Sequence, residues 1–138
     1  RETDMANLEK VEGIGETYGK KLRDAGVNST ETLLEAGSTR KGRDDLTAKT
    51  GIASKLILEW VNHVDLFRVK GVGEEYADLL EASGVDTVPE LAQRRADHLH
   101  KKMSEVNGEK KLVRQLPSEK QVQEWIDHAR ELPRKIQY

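Results

Sequence analysis

Two glycine-hydrophobic-glycine elbows constrain this chain more than any other feature. Val11-Glu12-Gly13-Ile14-Gly15 returns as Val69-Lys70-Gly71-Val72-Gly73, and the residues after each copy also correspond. Gly19, Leu22, Gly26 and Val27 follow the first; Ala77, Leu80, Gly84 and Val85 follow the second at the same spacings. Glycine takes positive φ at little steric cost, which suits a tight turn between two short helices, and the apolar residue between the glycines plugs the space between them. A small residue at 19 and 77 lets the helices touch, and Leu22 and Leu80 face inward one turn later. Gly26 and Gly84 suit the left-handed position just past a helix end. The chain reads as a helix, a hairpin and a helix, written twice.

The pattern hydrophobic-x-Gly-hydrophobic-Gly-x-x-x-small-x-x-Leu-x-x-x-Gly-Val resembles the helix-hairpin-helix motif of DNA-repair and recombination proteins. Glu59-Trp60-Val61 and Glu124-Trp125-Ile126 close the two halves. With them, nearly the whole chain resembles an uncharacterised bacterial family of tandem helix-hairpin-helix domains, a family without an established activity. The resemblance implies an all-α fold of two tandem helix-hairpin-helix bundles, about five short helices each, packed as one compact unit. The expected repeats are residues 6–65 and 66–138, the second with an insertion near 106–117.

Taken in order, the pattern predicts helices over Asn7 to Val11 and Glu16 to Ala25, then a third with Leu33 and Leu34 inward behind a cap at Ser29. In the second half Thr87 and Glu90 are spaced as a capping box, with Pro89 harmless in the first turn, so this cap is expected to be the stronger of the pair. A fourth helix is expected around Arg43 to Lys49, stopped by Thr50-Gly51. A fifth, Ser54 to Val64, carries Leu56, Ile57, Trp60, Val61 and Val64 on one stripe. Thr50-Gly51-Ile52-Ala53 then forms a degenerate second hairpin, so the first half resembles the five-helix double hairpin of recombinase amino-terminal domains. In the insertion, Leu112 and Leu116 predict an added helix around Glu109 to Gln115. Ser118 with Gln121 caps a last helix over Glu119 to Leu132, ended by Pro133. No period-2 strand pattern stands out.

The 138 residues suffice to bury about two-thirds of the unfolded surface. With no cysteine, the chain has no disulfide framework and no thiolate zinc site, and a cytoplasmic location is expected. No apolar run approaches the roughly 20 residues that span a bilayer, and no secretory signal opens the chain, so no membrane partner is expected. Met5-Ala6-Asn7-Leu8 reads as a native beginning, with Arg1 to Asp4 as an added remnant or the end of an upstream segment. The charge is nearly balanced, 23 basic against 25 acidic residues, whereas a protein that coats DNA usually carries a basic surplus. Basic residues concentrate between Arg94 and Lys120, which holds Arg94, Arg95, Lys101, Lys102, Lys110, Lys111, Arg114 and Lys120.

The expected function is non-sequence-specific nucleic-acid binding, with DNA, duplex or single-stranded, held through its phosphates. Glycine hairpins expose backbone N–H groups at a helix amino end, where free donors and the dipole favour a phosphate oxygen. The candidate contacts in the first half are Gly13, Ile14, Gly15, Thr17, Lys20, Lys21 and Arg23. In the second they are Gly71, Val72, Gly73, Lys110, Lys111 and Arg114. Glu74 and Glu75 stand where a phosphate would approach the second hairpin, so the first is the better candidate. The alternative is a protein-protein interaction or scaffold module that keeps the fold. Gly13-x-Gly15-x-x-x-Gly19 is not a dinucleotide loop, because no strand precedes it. His63 and His128 occupy matching places that packing explains better than a metal, His98 and His100 are expected in solvent, and Trp60 and Trp125 read as core anchors. No nucleophile, base and orienter set is present, so neither an enzyme nor a cofactor is expected.

Overall fold

A computed structural model describes residues 7–138, so the reading of Met5, Ala6 and the residues before them lies outside the described chain. Among the described residues there are eight α-helices, one short 3-10 turn and no strand. The helices are α1 (Glu16–Asp24), α2 (Thr30–Ala36), α3 (Arg40–Thr50), α4 (Ser54–Leu66), α5 (Glu74–Ala82), α6 (Val88–Ala92), α7 (Ala96–Lys110) and α8 (Glu119–Glu131). None is long and apolar enough to cross a membrane. The chain forms two compact units: one runs to Asp65 and takes back Lys135–Tyr138, and the other is Leu66–Arg134.

In the first unit the core is built by Leu8, Ile14, Leu22, Leu33, Leu46 and the α4 stripe Ile57, Trp60, Val61 and Val64, all buried. In the second, α8 packs on α6 and α7, and α5 packs on α7. Leu80, Leu91, Leu99, Met103, Val122 and Trp125 fill the space between them. Each tryptophan is 2% exposed, and truncation of such a side chain typically costs about 3–5 kcal/mol.

Five expectations need correction. The stretch before the first turn is a 3-10 turn, Leu8–Lys10, and not an α-helix. The helix expected around Glu109 to Gln115 does not form, so the second unit holds four α-helices. Instead α7 runs on to Lys110 and stops at Lys111 in the left-handed conformation, φ 52°. Side chains then bind the chain beyond it. Asn107 brackets Val113, accepting from its N–H at 2.9 Å and donating to its carbonyl at 3.2 Å, while His100 Nε2 donates to Pro117 O at 2.9 Å. These bonds and the backbone restriction that Pro117 places on Leu116 outweigh a two-leucine helical pattern. His100 is therefore half-buried and bonded, where a solvated side chain was expected.

The caps are also reversed. Ser29 forms the full box, with Thr32 as its partner, whereas Thr87 makes no side-chain capping bond. Glu90 reaches one residue too far, to the Asp86 N–H at 3.0 Å. Finally, the last four residues belong with the first unit and not with the second repeat. The Gln137 N–H donates to Ser38 O at 2.7 Å, and Ile136 is 3% exposed. Arg43, itself 3% exposed, donates to Gly37 O and to Gln137 O, both at 2.8 Å.

Candidate nucleic-acid interface

The two glycine elbows have the same backbone. Gly13 stands at φ +93° and Gly71 at +91°. Ile14 N–H donates to Val11 O and Val72 N–H to Val69 O, both at 3.0 Å, which closes each turn. Gly15 (φ −89°, ψ −169°) and Gly73 (φ −98°, ψ −166°) are extended, and each is the residue before a helix. Gly19 N–H then donates to Gly15 O and Ala77 N–H to Gly73 O, both at 2.9 Å. The apolar residues Ile14 and Val72 plug inward at 3% and 5% exposure, while all four flanking glycines are exposed.

The first residues of α1 and α5 have no carbonyl one turn back to receive their N–H groups. Gly15 and Gly73, the residues before these helices, have no side chain of their own with which to cap them. Behind the turns sit the tryptophans, each held by a tyrosine: Tyr18 meets Trp60 and Tyr76 meets Trp125, both with ring centroids 5.1 Å apart. A Cβ at Gly13 would lie 3.2 Å from Trp60 Nε1, and one at Gly71 3.1 Å from Trp125 Nε1.

The cations around the first turn differ in availability. Thr17, Lys20 and Lys21 are exposed on α1. Lys20 pairs with Asp24 at 3.0 Å in a solvent-exposed i,i+4 contact that costs little to break. Lys21 Nζ stands 6.0 Å from the Tyr18 ring centroid. Arg23 is committed: it donates to both Glu9 oxygens, at 2.8 and 2.7 Å, tying α1 to the 3-10 turn. That hydrogen bond holds the Glu9 carboxyl below its ordinary range and pushes the Arg23 guanidinium up.

The second turn has a different setting. Glu74 and Glu75 are exposed in the first turn of α5. Lys70 N–H, at the start of the turn, donates to His128 Nδ1 at 3.0 Å. His128 thus orients the turn from α8, a role its position in the repeat hinted at but did not specify. Lys110, Lys111 and Arg114 are exposed where α7 ends, in the same unit as the Gly71 turn and not in that of the Gly13 turn. Lys111 and Arg114 line an open cleft of about 660 Å³ with Ser104, Asn107, Leu116 and Glu75.

Fold and turn geometry together define a protein that is all-helical among its described residues, with a repeated glycine turn. The chain belongs to the family described as a domain of unknown function, DUF4332, whose model matches residues 12–132. No curated protein and no solved structure matches the chain.

Proposed function

We propose that this protein is a non-catalytic module that binds nucleic acid without reading sequence, each unit acting as a helix-hairpin-helix that holds phosphates on its turn. The observation that carries this reading is the exposed, extended Gly15 at the start of α1, a residue without a side chain of its own to cap the helix. Free N–H groups and the positive end of the helix dipole favour a phosphate oxygen there. Lys20 and Lys21 supply the adjacent charge, and Lys110, Lys111 and Arg114 offer a second basic surface. A chain without cysteine suits the cytoplasm, where such a partner is found.

A protein-interaction module is the second reading, favoured by Glu74 and Glu75, whose charges stand in the first turn of α5, complement the positive end of its dipole and repel a polyanion. An oligonucleotide mobility-shift titration against salt separates the two. Binding is expected at low salt, with a log–log slope near −0.9 per duplex phosphate neutralised. Lys20→Ala with Lys21→Ala is expected to lower affinity about tenfold and to flatten the slope by about two phosphates. Sensitivity confined to Lys110, Lys111 and Arg114 would move the interface to the α7 end and leave the turns structural. Absence of any shift at low ionic strength would favour the protein-interaction reading.

A further inference from the structure

The cleft at the end of α7 holds charge that the protein does not spend on itself. Lys111, Arg114 and Glu75 all line it, yet none of the three makes an ion pair or a side-chain hydrogen bond among the described residues. Elsewhere neighbouring opposite charges do pair, as Lys20 with Asp24, Lys41 with Asp45 and Arg95 with Asp97. Opposite charges that share a cleft without meeting leave room between them. The stretch that forms one side of the cleft is held in place by side chains of α7 and α5. Asn107 brackets Val113, His100 holds Pro117 O, and the Tyr76 hydroxyl donates to Gln115 O at 3.2 Å. The space is therefore preformed, and its volume of about 660 Å³ lies within the roughly 300–1,000 Å³ of small-molecule sites. Part of the lining is apolar, supplied by the half-buried Leu112 and Leu116. Lys111 is also the only described residue other than glycine at positive φ, 52°, just past a helix end where glycine is usual.

We infer that this cleft takes one nucleotide of a single strand: phosphate on Lys111 and Arg114, base against Leu112 and Leu116, and a base amino group on the Glu75 carboxylate. The inference rests on the nucleic-acid reading above and names the form of the ligand. Arg114 presents a planar fork that matches two phosphate oxygens, and Lys111 adds a point charge. A base has an apolar face that packs on leucine and a polar edge that hydrogen-bonds, so it meets both kinds of lining at once. In a duplex those faces are covered by the neighbouring pairs, and the cleft is offered little but phosphate. Glu75 adds a preference. A carboxylate repels phosphate but accepts from the amino group of cytosine or adenine, where thymine carries a carbonyl oxygen or none of that donor. The cleft thus favours amino-bearing bases at one position and reads no sequence. An acidic peptide would meet the same two cations, but it would face Glu75 without an amino group to offer it.

The test is fluorescence anisotropy of labelled oligodeoxycytidylate, oligothymidylate and a duplex of the same length, titrated with the whole chain at slightly alkaline pH over a range of salt. Oligodeoxycytidylate is expected to bind about fivefold more tightly than oligothymidylate, the effect of one hydrogen bond, and Glu75→Ala to bring the two to equal affinity. Lys111→Gly with Arg114→Ala is expected to weaken single-strand binding at least about tenfold and to flatten its salt slope by about two phosphates, at about 0.7 each. Duplex binding is expected to fall no more than about twofold. Glycine suits the positive φ at 111, so the double variant is expected to keep its helicity by circular dichroism. Should it fail to fold, the cytidylate preference and its loss in Glu75→Ala decide. Single-strand binding that survives the double variant would overturn the cleft site and leave the nucleic-acid reading intact. An equal loss on the duplex would overturn the single-strand form of the ligand, and equal affinity for the two oligonucleotides would overturn the Glu75 contact. Polyglutamate bound through Lys111 and Arg114, with no oligonucleotide bound, would overturn the nucleotide and the nucleic-acid reading together. No binding of any probe would do the same.

Discussion

Gly13 and Gly15 are separated by one residue and do different work. Gly13 is held at φ +93°, where an L side chain is strained, and its Cβ would press on Trp60 Nε1. Gly15 is extended, and a Cβ there meets nothing within 4 Å. Gly13→Ala is therefore expected to cost about 2 kcal/mol in urea unfolding, and Gly15→Ala no more than about 1 kcal/mol, the loss of a tolerated helix-preceding residue. Arg23 belongs to this scale as well, because its fork on Glu9 makes it a brace and not a free cation. The Glu9 carboxyl titrates below its ordinary value in the folded chain, so the pair contributes stability above the unfolded-state pKa, near pH 4. That contribution is lost as pH falls through the depressed folded value. Glu9→Gln is expected to raise the midpoint of acid unfolding and to leave neutral-pH helicity unchanged, as followed by circular dichroism.

At the scale of the element, matched caps give a matched prediction. Ser29 accepts from the Thr32 N–H at 3.1 Å and Thr32 returns the bond to the Ser29 N–H at 2.9 Å, so both donors at the start of α2 are met. Thr87, at the corresponding place before α6, makes no capping bond and is buried. Ser29→Ala is expected to cost about 1 kcal/mol, and Thr87→Val less than about 0.5 kcal/mol, both measured by chemical denaturation. Local spacing favoured the opposite order. Thr87-x-x-Glu90 has the better box letters, yet the cap depends on where Glu90 turns, and it turns to Asp86. Likewise Leu112 and Leu116 are spaced for a helix, but Asn107 and His100 take the backbone of that stretch. Spacing encodes which side chains share a face; it does not encode which distant donor claims a carbonyl.

Over the whole molecule, the last four residues are the part that no local pattern announced. Arg43 reads as one more charge on a polar helix, but it is buried and spends its guanidinium on Gly37 O and Gln137 O. Removing Lys135–Tyr138 takes away one of those acceptors and uncovers the seat of Ile136, so the first unit is expected to lose about 3 kcal/mol in urea unfolding. The sequence by itself determined the all-helical fold, the two elbows and the inward stripe of α4. Each follows from glycine's conformational range and from a 3.6-residue period, which act over a few neighbours. Only the tertiary structure decided that Arg43 faces inward, that the tail returns to the first unit, that His128 holds the Lys70 N–H, and that a tryptophan edge packs against Gly13. These depend on partners far apart along the chain, whose meeting is set by how the helices pack.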